Sequence, residues 1–210
     1  MRFLHVIALT ALVFGGCSGR GTVSENQCAA GDWQTLGYSD GARGYRSSQL
    51  LAHQDACGKH GVVPDRNGYM VGWKEGIREY CEPNNGFSVG ERGYQHNNAC
   101  PAELREDFLH AYKEGRSLYL VRVEVVRLEK EISRKAHHLE QVKTEMVSAA
   151  TAQLNSELTP SARVDLLARI GRLNDEKRKL QAEIPQLEAE LAAAERQLDT
   201  LSQSLAAVTY

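Results

Sequence analysis

The sequence lacks the short motifs that mark several common enzyme classes. It has no phosphate-binding loop, no H-E-x-x-H zinc helix and no dinucleotide-binding glycine pattern. His60 and His110 have no evident partner, and the adjacent His137 and His138 fall in a segment predicted to be a solvated helix. We therefore predict a protein that is not an enzyme and that needs no metal or cofactor.

An excess of either charge sign is also absent. The formal net charge is -2 over 210 residues, and basic and acidic side chains are nearly balanced in both halves of the chain. Nucleic-acid-binding domains usually carry a basic patch or stripe. Nucleic acid is therefore not an expected partner.

A hydrophobic run long enough to span a membrane is missing as well. The apolar run from Phe3 to Phe14 is shorter than the roughly 20 residues that a spanning helix needs. Arg2 precedes it, and two glycines and Cys17 follow it. This segment resembles a bacterial lipobox, which predicts a lipoprotein signal peptide at 1–16 and a lipidated Cys17. An ordinary signal peptide with an unmodified Cys17 is the alternative.

The residues after Cys17 indicate where such a lipoprotein would be sorted. Ser18, rather than an aspartate, follows the cysteine, which resembles the signal for the outer membrane. Several acyl chains would hold the protein on the membrane almost permanently. We expect an outer-membrane anchor facing the periplasm, with residues 17–27 as a lipid-anchored linker.

Glycine and aromatic residues are nearly absent from the second half of the chain. Beyond Tyr119 the sequence has one glycine, Gly171, and one aromatic residue, Tyr210. That half is rich in Ala, Leu, Glu, Lys, Arg and Gln, which is typical of long helices. We predict an all-α protein with a small helical domain at 28–116 and an extended helical module at 117–210.

Four cysteines lie in the small domain. Cys28, Cys57, Cys81 and Cys100 form an even set in a short exported domain, which favours disulfides. Four cysteines allow three pairings. We favour Cys28–Cys57 and Cys81–Cys100, because each pair closes a single local segment.

A zinc site is the alternative interpretation of the cysteines. His53 and Cys57 share the spacing of His96 and Cys100, so on helices each pair would lie on one face. Two histidines and two cysteines could hold a tetrahedral zinc. This would leave Cys28 and Cys81 unpaired in an oxidising compartment, so we favour disulfides.

A short pattern recurs through the small domain. GYSDG occupies 37–41, GWKEG occupies 72–76 and AYKEG occupies 111–115, while FSVGERG at 87–93 is a shortened relative. Small residues four apart allow helices to approach closely, so tight helix packing is the favoured interpretation. Alternatively, the aromatic and acidic residues line a groove for a glycan or peptide. The candidate binding residues are then Tyr38, Asp40, Trp73, Glu75, Tyr112 and Glu114.

The order of these blocks resembles a known bacterial family. The cysteines together with GYSDGARG, GVVPDRNGYMVGWKEGIREYC, NGFSVGERGY and CPAELREDFLHAYKEGRSLY are similar to domain of unknown function 2799, over about residues 28–120. The resemblance implies an envelope lipoprotein, and it implies no activity, catalytic residue or ligand.

Heptad spacing dominates the helical module. Apolar residues three and four apart predict a coiled coil. The first series is Leu118, Val121, Val125, Leu128, Ile132, Leu139, Val142 and Met146. The second series is Leu166, Ile170, Leu173, Leu180, Ile184, Leu187, Leu191, Ala194, Leu198, Leu201, Leu205 and Val208. Each series has one interruption, at Lys135 or Lys177, and we expect these lysines to reach Glu131, Glu140 or Glu176.

The two series are expected to fold back on each other. A turn near 155–161 separates them, with Thr159 or Ser161 as the cap and Pro160 in the first helical turn. An antiparallel coiled-coil hairpin with arms of about 70 Å follows, and an intermolecular coiled coil is the alternative.

These features together predict a scaffold or partner-binding protein of the cell envelope. We expect contact with the membrane through the lipid anchor and with an envelope protein through the coiled coil. A homo-oligomer is a further expected arrangement. A glycan- or peptide-binding module and a zinc-binding domain are the alternatives.

Overall fold

The computed structural model of the protein describes residues 23–206. These residues form helices and no strand, which confirms the predicted all-α fold. The helices are α1 (Glu25–Ala30), α2 (Trp33–Ala42), α3 (Gln49–Gly58), α4 (Arg66–Tyr80), α5 (Pro83–Glu91), α6 (Ala102–Ala152) and α7 (Pro160–Ala206). The predicted signal peptide, Cys17 and positions 17–22 of the linker lie outside the described residues. Within 23–206, no helix combines the length and the apolar character that crossing a membrane requires.

Local sequence signals determine where several helices begin. Ser24 and Gln27 form a reciprocal capping box at the start of α1, and the Asp32 side chain accepts a hydrogen bond of 3.1 Å from the Thr35 N–H at the start of α2. α5 begins with Pro83, which has no N–H and already has a helical φ. These caps satisfy backbone donors that a helix cannot satisfy itself.

The chain divides into two compact units. The first ends at Gly76 and the second begins at Ile77, so that the division falls within α4. The predicted domain boundary at 116/117 lies within α6, a continuous helix of 51 residues. One helix can serve two purposes here, because its first turns pack on α5 and the remainder packs on α7.

Each unit contains one disulfide. Cys28 is bonded to Cys57 in the first unit and Cys81 to Cys100 in the second, which confirms the pairing that the local segments favoured. All four cysteines are buried. Since Cys57 and Cys100 are oxidised, neither provides the thiolate that the zinc hypothesis requires.

Glycines allow α2 and α4 to cross closely in the first unit. A Cβ at Gly37 would lie 2.0 Å from the Tyr69 carbonyl oxygen, and one at Gly72 would lie 1.9 Å from the carbonyl oxygen of Gln34. At Gly76 the nearest atom is the Tyr38 carbonyl oxygen, at 2.1 Å. These distances leave no room for a side chain, so the glycines are required by packing.

The second unit repeats this crossing between α5 and the start of α6. A Cβ at Gly86 would lie 2.5 Å from the Phe108 carbonyl oxygen, and one at Gly90 would lie 2.1 Å from that of Tyr112. At Gly115 the nearest atom is the Phe87 carbonyl oxygen, at 2.2 Å. Gly86 corresponds to Gly37, and Gly115 corresponds to Gly76. In each case the two glycines face the backbone carbonyl oxygen of an aromatic residue at the equivalent position of the opposite helix.

The ends of α2 and α5 match as closely as their crossings. Gly44 (φ 74°) and Gly93 (φ 76°) end the two helices in the left-handed conformation. The carbonyl of Tyr45 accepts a 2.8 Å hydrogen bond from the Trp73 indole, and that of Tyr94 accepts one of 3.1 Å from the Tyr112 hydroxyl.

The equivalence of the two helix ends changes how the repeat is interpreted. GFSVGERGY at 86–94 is the counterpart of GYSDGARGY at 37–45 over its whole length, and not a shortened relative. GWKEG at 72–76 and AYKEG at 111–115 are counterparts of each other. The repeating element is therefore a pair of crossed helices, present twice.

In the rest of the second unit, α6 and α7 form a long helical hairpin. Within the described residues, every apolar position of the two predicted series is buried or half-buried, which confirms coiled-coil-like packing; Val208 lies outside them. The turn spans 153–159. Pro160 is the first residue of α7, and the Thr159 hydroxyl accepts a hydrogen bond of 3.3 Å from the Ala162 N–H.

The expected partners of Lys135 were wrong. Its ammonium donates to Glu183 of the facing helix at 2.7 Å, and not to Glu131, Glu140 or Glu176. This hydrogen bond lowers the pKa of Glu183. A half-buried lysine at a core position is accommodated because its flexible stem carries the charge out to the edge of the helix pair.

Candidate functional site

The predicted binding residues have different surroundings. In the first unit Asp40 and Trp73 are buried, Tyr38 is half-buried and Glu75 is exposed. In the second unit Tyr112 and Glu114 are both half-buried. Neither unit therefore presents its aromatic and acidic residues as one continuous groove.

Asp40 belongs to a buried polar cluster. Its Oδ2 lies 2.6 Å from Nε2 of His53 and accepts a hydrogen bond of 2.8 Å from the Tyr69 hydroxyl. All three residues are at most 4 % exposed. The cluster ties α2 to α3 and α4, because each helix supplies one member.

The Tyr69 hydroxyl is a donor in this cluster. Burial, together with the hydrogen bond to Asp40, raises the pKa of Tyr69, so its hydroxyl stays protonated and donates. Nε2 of His53 lies within hydrogen-bond distance of the same Asp40 oxygen. The buried Nδ1 has no hydrogen-bond partner among residues 23–206. Because no member is open to solvent, a substrate cannot reach the cluster, and it is suited to a structural role.

The second unit has an apolar counterpart of this cluster. Val89 corresponds to Asp40, and Phe108 corresponds to Tyr69. His96 lies edge-on to Phe108 and Tyr112, with ring centroids 5.9 and 4.6 Å apart. Burial lowers the pKa of His96. Within 23–206, no group of three or more His, Cys, Asp or Glu side chains is arranged to hold a metal ion.

One side of the helical hairpin carries ion pairs between its helices. Glu145 pairs with Arg169 at 2.9 Å, and His138 pairs with Glu176 at 2.7 Å. Each of these residues directly precedes a core position in its helix. We call this side, defined by Glu145, Arg169, His138 and Glu176, the ion-paired flank.

The opposite side of the hairpin exposes aliphatic side chains. Successive helical residues are rotated by about 100°, so Val147 lies on the other side of the core residue Met146 from Glu145. Leu167 is placed in the same way after Leu166. Val164 lies about one turn from Leu167 on the same side, and Leu154 follows the end of α6 in the turn. We call this side the apolar flank, after its residues Val147, Leu154, Val164 and Leu167, which are 67, 83, 64 and 60 % exposed.

The small domain matches a known family. Residues 32–117 match the family model described as Protein of unknown function (DUF2799). This segment is a DUF2799 domain. It contains both glycine-crossed helix pairs, and the match ends within α6, so the hairpin beyond is outside it. No curated protein and no solved structure matches the chain.

A groove marks the place where the DUF2799 domain meets the free part of the hairpin. It has a volume of about 580 Å³ and is lined by Tyr119, Arg122, Val123, Val126, Arg127 and Lys130. Arg122 pairs with Glu91, the last residue of α5, at 2.8 Å. Val126 precedes Val147 by 21 residues, which is three heptads. It therefore lies on the same side of α6 as the apolar flank.

Sequence reasoning missed three of these features. It did not identify Tyr69 as a partner of Asp40, and it considered His53 only as a zinc ligand. It also did not separate the two flanks of the hairpin. The order of charged and aliphatic residues beside the heptad core carried a signal for the flanks, since Glu145 precedes and Val147 follows the same core residue.

Proposed function

We propose that this chain is a non-enzymatic cell-envelope lipoprotein that acts as a scaffold or partner-binding protein in the periplasm. Its DUF2799 domain would lie near the lipid, anchored to the outer membrane through Cys17, and its hairpin would bind another protein. The contrast between the two flanks of the hairpin carries this proposal.

The apolar flank supports a partner-binding role. Its four aliphatic side chains are each at least 60 % exposed, and residues 147–156 include no charged side chain. Contiguous exposed apolar residues at one place are typical of interaction surfaces. The ion-paired flank satisfies its polar groups within the hairpin, so the apolar flank is the side that gains most from a partner.

The location rests on two features of the chain. The lipobox-like segment at 1–17 provides the anchor, and the buried disulfides in both units need an oxidising compartment to form and persist. The periplasm is such a compartment.

Photo-crosslinking in living cells tests the partner-binding role. A photoreactive residue at Ser156, in the hairpin turn, is expected to give a discrete adduct with one protein. The matched probe is Arg134, which is exposed on the side of the ion-paired flank and is expected to give none. Diffuse adducts or none from Ser156, or the same adducts from both positions, would contradict a dedicated binding surface.

Metabolic labelling with a fatty-acid analogue tests the anchor separately. Cys17→Ala is expected to abolish labelling and to release the protein from the membrane fraction. A variant that remains unlabelled but membrane-bound would show that lipid at Cys17 is not the anchor.

A further inference from the structure

We infer that the partner of the apolar flank is a second copy of this chain. The two hairpins would lie side by side and point the same way, with α6 of each copy against α7 of the other. This inference rests on the proposed partner-binding role of the hairpin and names the partner.

The register of the hairpin places Val147 and Leu167 at matching heights. Glu145 lies opposite Arg169 at 2.9 Å, so Val147 and Leu167 are level with each other along the hairpin axis. A two-fold axis parallel to that axis brings Val147 of one copy against Leu167 of the other, and the reverse. This surface is therefore self-complementary, which is the property of a two-fold interface.

The charges near the apolar flank favour this arrangement. A two-fold contact brings a surface against itself, so a cluster of one sign would repel, and residues 147–156 carry no charge at all. Towards the DUF2799 domain the signs are opposite on the two helices. At the heights fixed by the Glu145–Arg169 pair, Glu140 of α6 lies about one turn from Arg178 of the other copy.

Existing ion pairs do not prevent these contacts. Glu140 now pairs with Lys143 and Arg178 with Asp175, in both cases three residues along the same exposed helix. Exposed pairs of this kind are worth about 0.2–1 kcal/mol each. They can therefore exchange for contacts across an interface at little cost.

The length of the surface is set by the DUF2799 domain. α5 covers the same side of α6 near its start, where Gly90 and Gly115 allow close packing. The covering ends at Glu91, which pairs with Arg122. From Val126 to Val147 this side of α6 is uncovered, a length of roughly 30 Å. A helix of the second copy would continue along α6 where α5 stops.

The decisive experiment is photo-crosslinking of the full chain in cells that express two differently tagged copies. A probe at Val147 is expected to give an adduct of twice the chain mass that carries both tags. A probe at Ser148 is the matched control, because the next residue in the helix faces the side of the ion-paired flank. It is expected to give no such adduct.

The outcomes separate this inference from the proposed function. An adduct from Val147 to a different protein would overturn the self-association and leave the partner-binding role intact. The absence of any protein adduct from both Val147 and Ser156 would overturn both. Equal self-adducts from Val147 and Ser148 would overturn the assignment to the apolar flank.

Sedimentation of the purified full chain, with its disulfides intact and in density-matched detergent, gives an independent test. The double variant Val147→Glu and Leu167→Glu is expected to weaken self-association by about tenfold or more, because it places four carboxylates in one desolvated contact. Ser148→Glu is expected to associate like the parent chain. Both variants should keep the parent's circular dichroism, since the changed residues are exposed. A monomeric parent chain at all concentrations would refute the dimer.

Discussion

The two crossed helix pairs of the DUF2799 domain share one backbone arrangement and differ in what lies beside it. Gly37 and Gly76 in the first pair face carbonyl oxygens that are equivalent to those facing Gly86 and Gly115 in the second. Beside the crossing, the first pair buries Asp40, His53 and Tyr69 as a hydrogen-bonded cluster. The second pair has valine and phenylalanine at the matching positions.

This difference indicates which feature specifies the fold. The glycines cannot change without moving a backbone, whereas the neighbouring core can be polar or apolar. Exchanging a hydrogen-bonded polar cluster for apolar side chains of similar shape is often close to neutral, while removing one member is costly. The two helix pairs are natural examples of both solutions within one chain.

The largest predicted effect comes from filling the crossings. Gly76→Ala and Gly115→Ala place a Cβ 2.1 and 2.2 Å from a facing carbonyl oxygen, so we expect each to lower the free energy of unfolding by more than about 3 kcal/mol. The measurement is urea unfolding of each variant. Similar losses would show that both crossings are equally tight.

Gly171→Ala is the matched control for these glycine variants. Gly171 lies inside α7, and an added Cβ there would have no neighbour within 4 Å. Because alanine is the better helix former, we expect it to raise the free energy of unfolding by about 1 kcal/mol. If all three variants unfolded alike, close backbone approach would not be the reason for the glycines.

The second predicted effect compares the disulfides. The Cys28–Cys57 bond spans 29 residues and the Cys81–Cys100 bond spans 19, so in the chain-entropy model each contributes about 3–4 kcal/mol, with a slight advantage for the longer loop. Replacing both cysteines of one bond by alanine is expected to lower the stability by that amount. Near-equal losses in thermal unfolding would support the comparison. A loss confined to one variant would mean that only one helix pair depends on its bond.

Sequence patterns recovered the parts of the fold that depend on local spacing. Residues three and four apart identified the core of the hairpin, and local segments identified the disulfide pairing. Small residues four apart identified the glycine packing. In each case the residues that determine the structure are close in the sequence, or repeat along it at a regular interval.

Features that depend on a helix crossing could not be derived in this way. Asp40 lies 13 residues from His53 and 29 from Tyr69, and only the crossing brings them together. The same limit applies to Lys135, whose partner is 48 residues away. The correspondence between 37–45 and 86–94 was obscured because Val89 replaces Asp40, so the acidic residue that defined the repeat was missing from one copy.

The third predicted effect tests the polar cluster against its apolar counterpart. Tyr69→Phe removes one donor from the buried Asp40 carboxylate, and we expect a loss of about 1–3 kcal/mol. Phe108→Tyr is the reciprocal change in the second helix pair. It adds a hydroxyl where Val89 offers no acceptor, so it is also expected to destabilise.

The double variant Val89→Asp and Phe108→Tyr sharpens this test. If it restores part of the stability lost by Phe108→Tyr alone, the second pair can accept the polar solution, and chemical denaturation would measure the coupling between the two sites. If the double variant loses more stability than its two single changes together, the second helix pair resembles the first in its backbone only.

The smallest predicted effect is a dependence on pH that belongs to the second helix pair. Burial lowers the pKa of His96 in the folded state below its ordinary value of 6.5, so between those two values the unfolded chain binds more protons than the folded one. The stabilisation is therefore complete above about pH 6.5 and is lost as the pH falls through the lowered pKa. Thermal unfolding of the parent chain and of His96→Asn at pH 7.5 and pH 5 measures it. We expect the variant to lose less stability than the parent between the two pH values. An equal loss in both would place the acid sensitivity elsewhere and leave His96 as a packing residue against Phe108 and Tyr112.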